Sequence, residues 1–354
     1  MTTDDGVGAT TGVAAYLDEV AVGRWLVERV PGLEGPFNFT RVGEGQSALS
    51  FRTEDRLGRK VVLRRPPIGE LLESAHDMGR EFGILTKLQP FTQKVPGALG
   101  LCEDVSVTGV PFYVMEYIEG LTLNRLDIAE GLTPQARAKT GDSLITTLVE
   151  LQSVDLDVAQ LGDLRRPASF IERQVRRWTR QWYAQKTRDL PLVDELAELF
   201  VTRMPSESET VLVHGDYGLH NVIVGHDGVV RTVLDWELCS VGDPLADLGQ
   251  MLAYWAESGA PARQPNSLFK EPVTELPGFS TPSALAERYA EKSGRDISEL
   301  GYWIAFAYWK TATIVEGVYS RWLENPANGT GAGELASAVP RLAELAKAAL
   351  ETGA

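Results

Sequence analysis

Residues 211–237 read VLVHGDYGLHNVIVGHDGVVRTVLDWE, and this stretch decides the fold and the chemistry that the sequence predicts. Three apolar runs, separated by a polar loop and by the turn GHDG, predict three short strands. An acid, an amide and a second acid stand at the strand ends: Asp216, then Asn221 five residues later, then Asp235. Each residue alone is typical of a turn or a strand end. Their joint spacing is more specific and indicates a chemical site.

Phosphoryl transfer needs such a set of residues. One carboxylate orients the attacking hydroxyl and takes its proton, while a second carboxylate and an amide oxygen hold Mg²⁺ on the phosphates. A zinc-dependent hydrolase that uses His214, Asp216 and His220 is an alternative. It has less support, because the stretch contains neither a cysteine nor an HExxH pattern.

The segment HGDYGLHN resembles the catalytic loop of the aminoglycoside phosphotransferase and choline kinase-like family, a branch of the protein-kinase fold. VLDWE resembles the metal-binding segment of that family, and the resemblance extends in order over about residues 37–325. It implies ATP and Mg²⁺ as cofactors, Asp216 as the catalytic carboxylate, and Asn221 and Asp235 as the Mg²⁺ ligands. RRPPIGELLESAHDMGREF, GDPLADLG and YWIAFAYWKTA are similar to the subgroup that also occurs fused to acyl-CoA dehydrogenases.

Strand patterns dominate before Gly120 and helical patterns after it, apart from the quoted stretch. The sequence therefore predicts an α+β, protein-kinase-like two-lobe fold with a small β-rich N-terminal lobe and a larger, mainly helical C-terminal lobe. We expect a flexible tail over 1–12, a nucleotide-binding lobe over 13–118, and a lobe with the catalytic loop and acceptor site over 119–354. In GDPLADLG, Asp243 and Asp247 are expected to cap the following helix and anchor it under the site.

Two segments of the N-terminal lobe are predicted to contact the nucleotide. RVGEGQSALSF carries Gly43, Gly45 and Ser47, and short glycine-rich turns let backbone N–H groups approach phosphates. The third glycine of the kinase pattern is missing. MEYIEG resembles the inter-lobe hinge, which implies that backbone groups of Glu116 and Ile118 bind adenine.

Arg64 ends a strand where a kinase carries its phosphate-pairing lysine. Arginine is always charged and can bind phosphate through two parallel hydrogen bonds, so arginine in place of lysine can still pair with the phosphates. Strand alternation turns the alternative, Arg65, to the other face. Glu81 stands on the next helix where the ion-pair partner of that cation belongs.

The leading hypothesis is an ATP-dependent kinase that phosphorylates a hydroxyl group of a small molecule. A pseudokinase that binds nucleotide without turnover is the alternative, motivated by Arg64 and the incomplete glycine loop. The acceptor is expected in the helical lobe, near residues 173–183 or the aromatic residues Tyr302, Trp303, Tyr308 and Trp309. An antibiotic or an anionic acceptor such as a hydroxyacyl-CoA would suit the hypothesis. The alternative is that the basic residues of 173–183 form a solvated helix face and that the aromatic residues belong to the core.

The composition sets further bounds. The chain has 354 residues and a net charge of −15, which disfavours nucleic acid and anionic lipid as partners. No apolar run is long enough to cross a membrane, and the N-terminus lacks the features of a signal peptide, so a cytoplasmic protein is expected. Cys102 and Cys239 show no metal or disulfide pattern and are predicted to be buried free thiols.

Overall fold

The computed structural model describes residues 13, 16–43, 48–66, 77–207, 209–257, 271–324 and 335–352. The chain forms two compact units, Met1–Ile118 and Glu119–Ala354. The first is built around a five-stranded sheet, and the second is mainly helical.

The first unit contains an antiparallel sheet with the strand order β1-β2-β3-β5-β4 and two helices. Its elements are α1 (Glu19–Arg29), β1 (Asn38–Val42), β2 (Leu49–Glu54), β3 (Lys60–Arg65), α2 (Met78–Leu88), β4 (Ala98–Cys102) and β5 (Phe112–Glu116).

Helix α1 begins at an aspartate cap, because the Asp18 side chain accepts hydrogen bonds from the N–H groups of Val20 and Ala21. Its buried residues share one core cluster with Phe51 and Leu63 of the sheet. Helix α2 packs against β4 and β5. Strand β3 is buried over five of its six residues, as expected for a central strand.

The second unit places two short strand pairs among eight α-helices of the described residues. The helices are α3 (Leu126–Glu130), α4 (Pro134–Gln152), α5 (Phe170–Gln185), α6 (Pro191–Thr202), α7 (Leu245–Ala253), α8 (Pro282–Ser293), α9 (Leu300–Glu324) and α10 (Ala338–Thr352). The strands are β6 (Val211–Val213), β7 (Val222–Val224), β8 (Val230–Val233) and β9 (Ser240–Gly242), with β6 paired to β9 and β7 to β8. Helix α9 packs against α5, α6, α7 and α10.

The helical pattern predicted after Gly120 is confirmed, because the eight α-helices described above lie there. Residues 67–76, before helix α2, lie outside the described part of the chain, as does the predicted tail. Both cysteines are buried free thiols, as predicted. Within the described ranges, no helix combines the length and the apolar character that crossing a membrane requires.

Candidate active site

The two residues predicted to bind Mg²⁺ lie at the same end of one β-hairpin. Strands β7 and β8 pair with Val222 opposite Val233. One more bond extends the ladder, from the Leu234 N–H to the Asn221 carbonyl oxygen at 2.8 Å. Asn221 directly precedes β7 and Asp235 directly follows Leu234. The hairpin therefore brings the amide and the second acid together.

Asp235 adopts a left-handed backbone conformation, with φ 66° and ψ 67°. This region is uncommon for residues other than glycine, although aspartate tolerates it better than most. Such conformations cluster at functional sites, where the surrounding structure enforces them. Here the Trp236 indole N–H holds the turn by donating to the Val233 carbonyl at 3.0 Å.

Asp216 lies in the loop between β6 and β7, and both of its carboxylate oxygens have partners. Oδ2 lies 3.2 Å from His220 Nε2 and accepts from Asn221 Nδ2 at 3.0 Å. Oδ1 lies 3.4 Å from Gln250 Nε2. The same Asn221 amide donates to the Asp216 main-chain oxygen at 2.9 Å. The predicted catalytic acid and one predicted Mg²⁺ ligand are thus in direct contact.

Burial by itself raises the pKa of the Asp216 carboxyl. The charge and hydrogen bond of His220, together with the charge of Lys310, outweigh burial and hold the pKa well below its usual range. Asp216 is therefore an ionised hydrogen-bond acceptor at neutral pH. That state suits the orientation of a hydroxyl group, which matters most in phosphoryl transfer through a loose transition state.

The backbone before Asp216 is held by Asp247 of helix α7. Its Oδ2 accepts from the His214 N–H at 2.7 Å and its Oδ1 from the Gly215 N–H at 2.8 Å. Gly215 has φ +87°, and a Cβ there would lie 2.7 Å from the Leu238 carbonyl oxygen. Only glycine satisfies both the left-handed backbone and this close approach.

Of the two expected roles, Asp247 fulfils the anchoring of the helix under the site and not the capping. This residue lies inside the first turn of α7, and its carboxylate binds the catalytic loop instead. Asp243 does serve the start of the helix, because its Oδ1 accepts from the Leu245 N–H at 2.8 Å. Spacing alone predicted helix capping, because it does not show that a loop 32 residues earlier approaches this turn.

Both ring nitrogens of His214 are engaged. Nδ1 accepts from the Asp216 N–H at 3.2 Å, and Nε2 lies 2.9 Å from the Leu234 carbonyl oxygen, to which it must donate. The ring packs edge-on against Trp236, with centroids 4.8 Å apart. No lone pair of His214 remains for a metal, so the zinc-hydrolase alternative loses one of its three ligands.

Sequence reasoning did not identify two further residues of the site. Lys310 of α9 donates to the Gly215 carbonyl at 2.9 Å and to Gln250 Oε1 at 3.3 Å. Gln250 of α7 in turn contacts Asp216. A signal for Lys310 was present, because it is the only charged residue in the stretch 301–315, GYWIAFAYWKTATIV. A lysine in such a run is rarely buried unless it has a partner.

The oxygen atoms at the hairpin end fit Mg²⁺. Asn221 directs its amide nitrogen at two oxygens of Asp216, so its Oδ1 is the atom left to act as a ligand. Asp235 adds a carboxylate, and Mg²⁺ commonly combines one or two such groups with substrate phosphates. Among the described residues, these included, no three His, Cys, Asp or Glu side chains form a metal-binding group, so substrate phosphates would have to complete the coordination.

In the first unit, Arg64 and Glu81 form a buried ion pair, with Arg64 Nε 3.1 Å from Glu81 Oε2 and side chains only 9% and 2% exposed. Arg65 points to the other face of β3, as strand alternation predicts. Its guanidinium donates to the carbonyl oxygens of Tyr16 and Thr108, and burial lowers its pKa. Arg65 is thus engaged in packing, which leaves Arg64 as the stronger phosphate-binding candidate.

Of the other residues predicted to contact the nucleotide, only some lie within the described part of the chain. Gly43 has φ +76°, and a Cβ there would meet no atom within 4 Å, while Gly45 and Ser47 lie outside the described residues. Glu116 ends β5, and its N–H donates to the Gly97 carbonyl at 2.8 Å. The backbone N–H of Glu116 is therefore already engaged and not available for the predicted adenine contact. Ile118 is half-buried and follows the strand.

A pocket in the second unit lies between α5, α7 and α9 and borders the catalytic loop at Gly215. Its cavity volume is about 40 Å³, enough for a few water molecules but not for a whole small-molecule ligand. Its lining is mainly aromatic and polar, and Asp247, Gln250 and Lys310 of the catalytic network contribute to it. The other notable lining residues are Phe170, Gln174, Arg177, Trp178, Trp303 and Phe306.

The predicted acceptor residues divide into two groups. Arg177, Trp178 and Trp303 line this pocket. Others serve the core: the Tyr302 hydroxyl donates to the Phe200 carbonyl, the Trp309 indole to Val193, and the Trp182 indole to Asp194, while Tyr308 is buried. Helical spacing could not separate the groups, because both lie on the same helices.

Comparison with known proteins agrees with this geometry. The model of the phosphotransferase enzyme family matches residues 38–269. Acyl-CoA dehydrogenase family member 10 of Mus musculus is 35% identical over 317 residues, covering 88% of this chain and 29% of that protein. Family member 11 of Gallus gallus is 33% identical over 337 residues, covering 92% of this chain and 43% of that protein. The chain thus spans less than half the length of these relatives.

Solved structures show the same fold. A protein from Ralstonia eutropha JMP134, described as a candidate aminoglycoside phosphotransferase, superposes with a TM-score of 0.77 at 26% identity and covers 95% of this chain and 98% of its own. The GDP and kanamycin complex of APH(2″)-IIIa superposes with a TM-score of 0.59 at 15% identity, covering 93% and 99%, and is similar in fold alone. The predicted α+β, protein-kinase-like fold is confirmed.

Proposed function

The chain belongs to the phosphotransferase enzyme family, and on that premise we propose that it transfers the γ-phosphoryl group of ATP to a hydroxyl group of a small-molecule acceptor. The contact between Asp216 and Asn221 carries the proposal, together with the hairpin that brings Asp235 to the same end. These are the carboxylate, amide and second carboxylate that phosphoryl transfer needs.

The proposed roles follow from the partners of each group. Asp216, ionised and held on both oxygens, accepts a hydrogen bond from the acceptor hydroxyl and so aims its oxygen at the phosphorus. Asn221 and Asp235 would hold Mg²⁺, which when bound would neutralise charge on the phosphates. Arg64, oriented by Glu81, would pair with the α- and β-phosphates.

We propose that the acceptor binds at the mouth of the pocket between α5, α7 and α9, because the cavity itself is too small to enclose it. The pocket borders Gly215, the residue before Asp216, and so lies beside the catalytic loop. Its cationic side chains, Arg177 and Lys310, disfavour a polycationic aminoglycoside. A neutral or anionic alcohol fits this lining better.

ATP consumption with Mg²⁺, measured across a panel of acceptors, tests the proposal. The panel contains aminoglycosides, macrolides, choline, sugars and hydroxyacyl-CoAs, and Asp216→Ala is assayed beside the unaltered protein. Turnover with one acceptor that disappears in the variant supports the kinase and identifies its substrate class. Intact ATP binding without any turnover would favour the pseudokinase alternative.

A further inference from the structure

Lys310 is an ammonium group in the interior of the second unit, with 7% of the residue exposed. A methionine of similar length would fill the same space in α9 without the cost of removing a charge from water. Packing therefore does not explain a lysine here. The groups that face it are Asp216 and Asp247, which attract the charge, Arg177, which repels it, and the ring of Trp178, whose centroid is 5.8 Å away.

Lys310 holds the peptide group that joins Gly215 to Asp216. It donates to the carbonyl oxygen of that peptide at 2.9 Å, and the N–H of the same peptide donates to His214 Nδ1 at 3.2 Å. Both ends of the peptide plane are thus fixed from opposite sides. The orientation of this plane sets the direction in which the Asp216 side chain leaves the backbone.

Lys310 also fixes the orientation of Gln250. An ammonium only donates and a carboxylate only accepts, so the Gln250 amide must direct Oε1 to Lys310 and Nε2 to Asp216. The distances are 3.3 Å and 3.4 Å. Without the ammonium group, the amide would lose the partner that keeps its N–H groups towards the carboxylate.

We propose that Lys310 is a positioning residue for the transfer step, which orients the Asp216 carboxylate through the Gly215 peptide and through Gln250. The inference rests on the proposed function of Asp216. Lys310 does not itself contact the reacting atoms in this scheme. Its loss should therefore lower the rate of transfer without weakening ATP binding.

Steady-state kinetics of Lys310→Met tests this inference. We expect kcat to fall by about 10–100-fold while KM for ATP changes by less than about twofold. Lys310→Met in an Asp216→Asn background should cause no further loss, because its effect passes through that carboxylate. Gln250→Leu should likewise combine non-additively with Lys310→Met. Independent, multiplicative losses would contradict the proposal.

Lys347→Met is the matched control, since that lysine is exposed and pairs with Glu195 at the surface. It should leave kcat unchanged. A second measurement needs no turnover: the unfolding midpoints of Lys310→Met, Asp216→Asn and the double variant. The positioning role predicts that the unfolding midpoint of the double variant falls by less than the sum of the two single decreases. Additive decreases would overturn the positioning role. If the unaltered protein phosphorylates no acceptor, the proposed function fails, while this cycle still tests the contact network.

Discussion

Arg64 and Asp216 are held in different ways. Arg64 lies on a regular strand, where sheet register sets its direction and a buried ion pair with Glu81 helps to orient it. Asp216 lies on irregular backbone, where side chains from α7, α9 and the loop itself fix both the peptide and the carboxylate. On a strand the sheet register directs a functional side chain, whereas in a loop the direction depends on anchors that are distant in sequence.

The largest loss of stability in this comparison is expected from Arg64→Met. It removes the guanidinium that lies 3.1 Å from the Glu81 carboxylate, whose side chain is 2% exposed. Breaking a buried pair in this way costs about 3–5 kcal/mol in the free energy of unfolding. The double variant Arg64→Met/Glu81→Met should recover most of that loss, as measured by chemical denaturation. Equal losses in the single and double variants would show that the pair is not what holds Arg64.

A smaller effect is expected from Asp247→Asn. The new amide can accept only one of the two backbone N–H groups of His214 and Gly215, so one donor is left buried without a partner. The expected cost is about 1–3 kcal/mol in the free energy of unfolding, accompanied by a fall in kcat because the loop loosens. Asp227→Asn, at an exposed turn, is the control and should cost less than about 0.5 kcal/mol. An undiminished kcat in Asp247→Asn would mean that the loop does not depend on this anchor.

An effect of similar size that depends on pH concerns Asp243, where burial raises the pKa to about 6. In the unfolded chain the pKa returns to about 3.9. The folded state therefore holds a proton that the unfolded state has released, and stability from this group is present below about pH 4 and is lost as pH rises through 6.

The free energy of unfolding of Asp243→Asn, relative to that of the unaltered protein, should accordingly increase by about 1–3 kcal/mol between pH 4 and pH 7. Denaturation series at both pH values measure this difference, and the background titration of other groups cancels between the two proteins. A stability difference that stays constant with pH would show that Asp243 is ionised in the folded state.

The same contrast explains which parts of the site were predictable. Asp216, Asn221 and Asp235 belong to one local strand–loop–hairpin pattern, so their spacing along the chain carried the information. Lys310 and Gln250 contact the loop across 95 and 34 positions of sequence. Periodicity showed that both lie on helices, but not which loop those helices face.

For other residues too, local patterns were predictable and long-range contacts were not. Alternation correctly separated Arg64 from Arg65, because side-chain direction in a strand is set by neighbouring positions. The backbone groups that Asp247 binds were not predicted, because hydrogen bonding across 33 positions has no local signature. The aromatic residues of α9 divided between core and pocket according to tertiary packing, which helical spacing does not contain.

The most direct test of the central claim is the affinity for MgATP, measured by calorimetry beside turnover, in Asp216→Ala and Asp235→Ala. We predict that Asp216→Ala binds MgATP nearly as well as the unaltered protein but transfers phosphate about 10²–10⁴-fold more slowly. Asp235→Ala should weaken MgATP binding itself. Unchanged turnover in Asp216→Ala, or undiminished metal-dependent binding in Asp235→Ala, would contradict the assignment of roles.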